Sequence, residues 1–387
     1  MEETAGVEAH KRVKTYYERR SECALWNVPE DITANILARL HIRYLMLCRC
    51  VCRAWRILIS DPISILMHLT HRRTLQLNNI EDTDLVFGVR DSFAKTNFYM
   101  VENVGSSNES VKLFPALPSH LSKYKLVASC NGLLCLRNLT LRDRVIIIWN
   151  PFTGEILDIP SPNLVTAKSV THFGFGYDSI VKKYKVLAIS YPETLDDTKL
   201  VVAEVWTLGL GSWRHIGIVP FQPVDPQFSL EGSLHWMSYE RESNLLGIGS
   251  FDVRNEEFHF VLIPQNFNSK SSRFVVDTGA LGGYISAVNY PSPGLGEIWI
   301  MKHFESWTKQ YVISMEEGFQ YFKPLCLLKS GEILLVYNGA KLVSCDPQTS
   351  QIREVGLSRN SHNPNFVIDR FDFVGTFASP MRGGGVE

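Results

Sequence analysis

The spacing of hydrophobic residues divides this chain into two regions. Between residues 27 and 69, apolar residues recur at three- and four-residue spacing, as they do along one face of an α-helix. After about residue 80, the pattern changes to short runs rich in β-branched and aromatic residues, separated by turn residues, which is typical of β-strands. The sequence therefore predicts a mainly β protein with a small N-terminal α module.

The helical module has more apolar surface than it can bury by itself. A first helix is predicted to begin after Pro29 and to carry Ile32 and Ile36 at four-residue spacing. A second helix is predicted over about 43–59 and is stopped by Asp61-Pro62. It has two apolar stripes, one of Leu45, Cys48, Cys52, Trp55 and Ile59, the other of Leu47, Val51, Ala54 and Leu58. Two stripes need two partners, so we expect one to be covered by the next domain or by another protein.

The β region contains a repeat of about 50 residues, which is the length of a kelch-like propeller blade. Hairpin-like turns recur at Asn131-Gly132, near 178–182, at Glu231-Gly232, at Gly282-Gly283 and at Ser330-Gly331. Four strands in each unit predict a β-propeller of about six blades. A last strand near 366–377 is expected to pair with the first blade and close the ring. A pair of Greek-key sandwiches is the alternative.

Composition narrows the class of protein. The chain has 387 residues, 45% of them hydrophobic and 20% charged, which is ordinary for a globular protein of two domains. Its net charge of -1 gives no general attraction to nucleic acid or acidic membranes. The first residues do not form a secretory signal, and no apolar run approaches the roughly 18 residues that span a bilayer. We expect a protein of the cytoplasm and/or nucleus, with no nucleic-acid or membrane partner.

The cysteines and histidines predict no metal site. The 8 cysteines are expected to be free thiols in a reducing compartment. Cys48, Cys50 and Cys52 alternate, whereas zinc knuckles use Cys-x-x-Cys pairs, so Cys48 and Cys52 are interpreted as small core residues. The histidines, which also lack metal-ligand spacing, are His172, His215, His235 and His259. No cofactor is expected.

Motifs for catalysis are also missing from the sequence. It contains no Gly-x-Ser-x-Gly elbow, P-loop or His-Glu-x-x-His. Paired carboxylates at Asp196-Asp197 and at Glu240/Glu242 lie in predicted loops, where solvation is the usual role, whereas general acid–base catalysis needs two carboxylates in different environments. We therefore predict no catalytic residues and a protein that is not an enzyme.

Three elements of the helical module, in their order and spacing, resemble an F-box. They are Val28-Pro-Glu-Asp-Ile, Cys50-Val-Cys-Arg-Ala-Trp and Ile59-Ser-Asp-Pro, and His41, Tyr44 and Leu47 depart from the usual pattern. The β region is similar to the F-box-associated domain of plant proteins, including S-locus and defence-related F-box proteins. The matching segments include Asn131-Gly-Leu-Leu-Cys, Trp149-Asn-Pro-Phe-Thr-Gly and Gly174-Phe-Gly-Tyr-Asp.

This resemblance implies the substrate receptor of a cullin-based SCF-type ubiquitin ligase, in which the F-box docks on a Skp-type adaptor and the β domain binds a target protein. The alternative is a propeller that binds proteins or ligands outside any ligase. The expected divisions are a flexible tail at 1–24, the F-box at 25–70, the β domain at 78–378 and a flexible tail at 379–387.

Residues for both interfaces are predicted. The side chains expected to bind the adaptor are Val28, Pro29, Ile32, Ile36, Leu45, Val51 and Trp55. Propeller targets are bound by the loops between the second and third strands of a blade and between successive blades. Side chains suited to such binding are Tyr191, Phe221, Tyr239, Arg241 and Tyr290.

Overall fold

The computed structural model of this chain describes residues 28–77, 84–90, 96–102, 110–113, 119–138, 146–163, 169–192, 200–224, 227–264, 267, 277–292, 294–315, 321–328, 330–338, 341–355 and 367–381. The chain divides into two compact units, Met1–His71 and Arg72–Glu387, and each is described by itself. The predicted tail at 1–24 and residues 382–387 of the second predicted tail lie outside the described residues.

Residues 28–77 form short helices joined by tight turns. They are α1 Glu30–Ala38, α2 Ile42–Cys48, α3 Arg53–Ile59 and α4 Pro62–Leu77. The helix predicted over about 43–59 is wrong, because a turn at 49–52 divides it into α2 and α3. Cys52 caps α3, its Sγ accepting the Trp55 N–H at 3.4 Å. Asp61 starts α4 rather than only stopping α3, since its Oδ2 accepts the N–H groups of Ile63 and Ser64 at 2.9 and 3.1 Å.

From residue 84, the described strands form six antiparallel sheets, here called blades I to VI. Blade I contains β1 Asp84–Arg90, β2 Thr96–Glu102, β3 Ser110–Leu113 and β25 Val367–Phe373; blade II contains β4 Tyr124–Cys130, β5 Leu133–Asn138, β6 Ile146–Trp149 and β7 Ile156–Ile159; blade III contains β8 Ser169–Asp178, β9 Lys183–Pro192, β10 Val202–Thr207 and β11 Trp213–Ile218. Blade IV contains β12 Phe221–Pro223, β13 Phe228–Leu230, β14 Ser233–Glu240, β15 Leu246–Asp252 and β16 Glu257–Leu262; blade V contains β17 Asp277–Leu281, β18 Tyr284–Ser292, β19 Leu295–His303 and β20 Ser306–Ser314; blade VI contains β21 Phe322–Leu327, β22 Ile333–Tyr337, β23 Lys341–Cys345 and β24 Ile352–Glu354. A 3₁₀ turn at Ser119–Lys123 precedes β4.

Neighbouring blades contact each other through strands at one edge of their sheets. β25 packs next to β4, β4 next to β8, β13 next to β17 and β17 next to β21. This arrangement confirms the predicted propeller of about six blades and excludes the sandwich pair. The ring is closed by β25, which pairs with β1 over seven residues from Asp84↔Phe373 to Arg90↔Val367. The predicted pairing of a last strand with the first blade is therefore confirmed.

The core lies between the blades. The apolar faces of blades III and IV meet around Leu187, Val205, Phe221, Trp236 and Phe251, all of which are buried. Similar buried clusters join blade IV to blade V and blade V to blade VI. Blades IV and V thus use both faces for packing, which is why their inner strands have continuous apolar runs rather than strict alternation.

The Gly-Phe-Gly-Tyr-Asp segment of β8 shows how close this packing is. A Cβ on Gly174 would lie 2.8 Å from side-chain atoms of Leu234 and Trp236 in the next blade. Phe175, which alternates with the glycines, points away from them and stacks on Tyr184 with ring centroids 5.5 Å apart. The glycines of this segment therefore provide space for the neighbouring blade.

A buried ion pair also joins blades III and IV. Lys185 Nζ lies 2.8 Å from Asp178 Oδ2 and 2.9 Å from Glu256 Oε1, and it donates to the carbonyl oxygen of Val253 at 2.8 Å. Arg214 makes a second contact with Glu256. Although burial opposes ionisation, the cationic partners and hydrogen bonds keep the pKa values of Asp178 and Glu256 below their usual range.

Candidate functional site

The helical module has exposed aliphatic side chains at positions predicted to bind an adaptor. Ile36 is 54% exposed and Val51 is 61% exposed, and Ile32 and Pro29 are exposed as well. This exposure follows from how α1 packs, because Ala34, Leu37 and Ala38 provide its buried side. The isoleucines are therefore left on the outer side of α1, although their spacing alone is compatible with a core position.

The other three predicted adaptor residues are placed differently. Leu45 is 3% exposed, so it belongs to the core of the module and is not available on the surface. Val28 is half-buried, and so is Trp55, whose backbone N–H donates to Cys52 Sγ. A surface role for Val28, Pro29, Ile32, Ile36, Val51 and Trp55 stays a prediction.

Sequence reasoning missed part of this surface on α2. Leu47 is 67% exposed, and Tyr44 and Met46 are exposed too. Leu47 belongs to the second apolar stripe of the sequence, whereas Met46 was not singled out and Tyr44 was noted only as a departure from the F-box pattern. The signal that could have found Tyr44 and Met46 is their spacing, because they lie off the side of α2 that carries its buried residues, Ile42 and Leu45.

The second candidate surface is the loop face, defined as the end of the propeller formed by the second-to-third strand loops and the connections between blades. Much of this face lies outside the described residues, including 139–145, 164–168, 193–199, 268–276 and 356–366. What the structure describes here are the strand ends that support these loops.

Tyr191 lies at such a strand end and is fixed in position. Its hydroxyl donates to the carbonyl oxygen of Pro223 at 3.2 Å, and it lies 3.1 Å from His172 Nε2. The two rings stack with centroids 5.8 Å apart. Burial, followed by the charges of Arg137 and Lys125, lowers the pKa of His172 to about 4, so the ring is neutral at physiological pH. Tyr191 is half-buried and packs against the core between blades III and IV.

Two of the predicted target-binding aromatics are core residues. Phe221 is fully buried between blades III and IV, where a Cβ on Gly249 would lie 2.4 Å from its ring. Tyr290 is also buried, and its hydroxyl accepts the N–H of Phe322 at 2.9 Å and donates to the carbonyl oxygen of the same residue. Neither ring is available for a target, because the strands that carry them turn these side chains inward.

Tyr239 is the exposed member of the predicted set, and Arg241, which is half-buried, follows it in the chain. Tyr239 is exposed at the end of β14, opposite Gln222 of β12. Arg241 begins the following turn, and its N–H donates to the carbonyl oxygen of Pro220 at 3.1 Å, which fixes the backbone from which the guanidinium extends. A flat ring and a planar cation held on rigid backbone are suited to binding a protein surface.

The side chains typical of metal binding are not grouped in the described residues. No group of three or more His, Cys, Asp or Glu residues in the described parts of the chain could hold a metal ion. The cysteines at 48, 50, 52, 135 and 345 are free thiols, and burial raises the pKa of the Cys135 thiol above its usual range. Among the helices in the described ranges, none combines the length and apolar character needed to cross a membrane.

Comparison with known families divides the chain at the same places as the structure. Residues 25–66 match the F-box domain, and residues 84–375 match the F-box associated beta propeller domain. The chain is 27% identical over 379 residues to F-box protein At3g07870 of Arabidopsis thaliana, which covers 86% of this chain and 88% of the relative. It is 31% identical over 301 residues to F-box protein At5g65850 of the same plant (74% and 71% covered) and 26% identical over 337 residues to F-box/kelch-repeat protein At3g23880 (82% and 88% covered).

Proposed function

We propose that this chain, which belongs to the F-box proteins with an F-box-associated beta-propeller domain, is a non-catalytic substrate receptor of a cullin-based ubiquitin ligase. Its helical module would dock on a Skp-type adaptor, and its propeller would hold a target protein in the cytoplasm and/or nucleus. The contribution of such a receptor is proximity, because it raises the effective concentration of the target near the ubiquitin-loaded enzyme.

One observation carries the adaptor part of this proposal. Ile36, Leu47 and Val51 are exposed on a module that is already folded around Leu37, Leu45 and Ile59. Large aliphatic side chains grouped on a small folded unit are typical of a protein interface. Covering three half-exposed aliphatic side chains yields about 2–4 kcal/mol, to which the surrounding contacts add.

The test is a binding measurement between the purified chain and a purified Skp-type adaptor. Ile36→Glu together with Val51→Glu would place two charges in the proposed contact without touching the module's core. We expect the adaptor affinity to fall at least about tenfold, since each buried charge costs more than the lost apolar contact. Ile352→Glu, in an exposed outer strand of blade VI, is the matched control and should bind normally. Unchanged affinity of the double variant, with its fold intact, would exclude docking through this surface.

Tyr239 and Arg241 support placing the target on the loop face. Proximity labelling in cells with a blocked proteasome would compare the wild-type chain with Ile36→Glu/Val51→Glu and with Tyr239→Ala/Arg241→Ala. A target of the ligase should be labelled by the first two chains, should accumulate ubiquitin only with the first, and should be lost from the third. Labelling that is independent of Tyr239 and Arg241 would contradict the target site while leaving adaptor docking intact.

The alternative function is a binding module that acts outside a ubiquitin ligase. It differs in one outcome of the same experiments. Both functions predict that the target is labelled whether or not residues 36 and 51 are changed, but the partners of a propeller outside a ligase would carry no ubiquitin that depends on the helical module.

A further inference from the structure

The end of the propeller opposite the loop face is formed by tight turns, and we call it the hairpin face. These turns join the first strand of a blade to the second, and the third strand to the fourth. In blade III, both turns display aliphatic side chains: Ile180 is 65% exposed, Val181 is 53% exposed and Leu210 is 64% exposed. Ile180 and Val181 lie between β8 and β9, and Leu210 lies between β10 and β11.

The two turns lie side by side. The N–H of Leu208 donates to the carbonyl oxygen of Tyr184 at 2.9 Å, which continues the pairing of β9 and β10 up to the turns. At the next position, a Cβ on Gly209 would lie 3.9 Å from Lys183 Nζ. The three aliphatic side chains therefore extend from adjacent turns of one blade and form one surface, here called the blade III tip.

Turn geometry does not require aliphatic residues here. Asp178 Oδ1 accepts the N–H groups of Ile180 and Val181 at 2.9 and 3.2 Å, so the turn is held by the aspartate and the backbone, not by the two side chains. Corresponding turns of other blades are built from Asn131-Gly132, Glu231-Gly232 and Gly282-Gly283. Solvation favours such polar or small residues at turn tips. Blade V also exposes Phe304 at its third-to-fourth-strand turn, but blade III has exposed aliphatic residues at both of its turns, which calls for a separate explanation.

Charges around the blade III tip indicate the chemistry of its occupant. Lys182 and Lys183 adjoin the aliphatic side chains and have no acidic partner among the described residues, and Arg254 of the neighbouring blade donates only to Ser179 Oγ at 3.4 Å. The acids beneath them, Asp178 and Glu256, are already bound by Lys185 and Arg214. The remaining carboxylates on the adjoining turns of blade IV are Glu231, Asp252 and Glu257, of which Asp252 caps its own turn. The rim nearest Ile180 and Val181 is therefore cationic.

We propose that the blade III tip binds a short segment of a partner protein that presents aliphatic or aromatic side chains flanked by aspartate or glutamate. Two facts on charge and size favour this occupant. A second copy of this chain, meeting the tip with its own tip, would oppose lysine to lysine. A membrane would be held by only three aliphatic side chains and two lysines, which is less than peripheral membrane binding ordinarily needs.

This inference goes beyond the proposed function, because the hairpin face is at the other end of the propeller from the loop face. A segment bound at the blade III tip would leave Tyr239 and Arg241 accessible. The receptor could then hold a target and a second partner at the same time.

The test uses the full chain in complex with its Skp-type adaptor and defined probes. The first probe is a fluorescent synthetic peptide of alternating leucine, aspartate and glutamate, and the second is the same peptide with lysine at every acidic position. We expect the acidic peptide alone to bind, with an affinity that falls as salt is raised. Ile180→Ser with Leu210→Ser should reduce this affinity at least tenfold, and Lys182→Glu with Lys183→Glu should reduce it further or abolish it. Phe304→Ser, in an exposed turn of blade V, should leave it unchanged.

Four results would overturn the proposal. The first is equal binding of both peptides, and the second is peptide binding that survives the substitutions at 180 and 210. The third is binding of the wild-type complex to anionic vesicles, if the substitutions at 180 and 210 abolish it. The fourth is concentration-dependent self-association of the complex, if the same substitutions abolish it. Thermal denaturation of each variant shows that its propeller is folded. If Ile180→Ser with Leu210→Ser destabilises the chain, Lys182→Glu with Lys183→Glu provides the deciding measurement, because Lys182 is exposed, Lys183 is half-buried and the buried ion pair is formed by Lys185 instead.

Discussion

Gly132 and Gly232 occupy the same position, after the first strand of a blade, in two hairpin turns with different surroundings. Both have positive φ values, +75° and +83°. A Cβ on Gly132 would lie 2.4 Å from the carbonyl oxygen of Val374 and from Thr376 Cγ2, whereas one on Gly232 would meet nothing within 4 Å. The two positions therefore separate the cost of an unfavourable φ from the cost of a steric clash.

We predict that Gly132→Ala lowers the free energy of unfolding more than Gly232→Ala does. The φ cost is about 1 kcal/mol in both variants. The clash with the Val374 backbone adds about 1–3 kcal/mol in Gly132→Ala alone, since backbone cannot move aside as a side chain can. Urea denaturation of the two variants measures the difference directly. Equal losses would mean that the segment at 374–376 moves away without cost.

His235 is a buried, neutral histidine that ties propeller stability to pH. Its Nδ1 lies 2.7 Å from Ser250 Oγ, and its ring stacks on Phe228 with centroids 5.1 Å apart. Burial lowers its pKa from 6.5 to about 4. The unfolded chain therefore binds a proton between these two values that the folded chain does not bind.

The expected consequence is a loss of stability as the pH falls from 6.5 toward 4. At pH 5, the contribution of His235 amounts to a loss of about 2 kcal/mol relative to pH 8. His235→Gln, which cannot be protonated, should lack this part of the pH dependence while His172 contributes its share in both proteins. Denaturation curves at pH 8 and pH 5 test this, and an identical pH dependence in the two proteins would contradict it.

At the scale of elements, a recurring turn connects the third and fourth strands of blades. In blade II, Asn150 Oδ1 accepts the N–H groups of Phe152 and Thr153 at 2.8 and 3.3 Å, and in blade IV, Asp252 Oδ1 accepts those of Arg254 and Asn255 at 2.7 and 3.0 Å. Asn150 is fully buried and does more than cap its turn. Its Nδ2 donates to the carbonyl oxygens of Thr376 and Ala378 at 3.0 and 2.7 Å, which attaches the C-terminal segment to blade II.

Asn150→Asp should therefore be strongly destabilising although it keeps the cap. The carboxylate retains the acceptor but faces two carbonyl oxygens without a donor, at a cost of about 2–5 kcal/mol. The reverse exchange, Asp252→Asn, keeps the same cap at an exposed turn and should change stability by less than about 1 kcal/mol. Thermal denaturation of both variants is the measurement. A mild effect of Asn150→Asp would show that the C-terminal segment is not held by this side chain.

At the scale of the whole molecule, the propeller depends on its two chain ends meeting. β25 is the last strand in the sequence, yet it pairs with β1 and packs next to β4. Among the described strands, β25 is the one that joins the end of the chain to blade I, and it does so through strand pairing with β1. Because the ring is closed by strand pairing, the pairing of β25 with β1 contributes to the free energy of unfolding of the whole propeller.

A chain ending at residue 366 should lose the cooperative unfolding of the propeller. It lacks β25 and the segment that Asn150 holds, which exposes the edge of β1 and the face of blade II. A chain ending at Met381 keeps both and should unfold like the full-length protein. Circular dichroism with heating, and limited proteolysis, compare the two. Full cooperativity in the shorter chain would mean that the ring does not need β25.

Much of the candidate site was predictable from the sequence, and the remainder shows where such reasoning stops. Ile32, Ile36 and Val51 were expected on the surface of the helical module and are exposed there. Leu45, Phe221 and Tyr290 were expected at interfaces and are buried. The two groups are chemically alike, and spacing along the chain does not show which side of a helix or strand meets the core.

Periodicity and turn residues determined the order of the two domains, the propeller and its closing strand. These follow from local preferences, since alternation and tight turns act over a few neighbouring residues. Only the tertiary structure decided that residues 43–59 form two helices, that Gly174 makes room for the next blade, and that Ile180, Val181 and Leu210 share one surface. Those outcomes depend on which distant side chains compete for the same volume, and that competition exists only once the chain is packed.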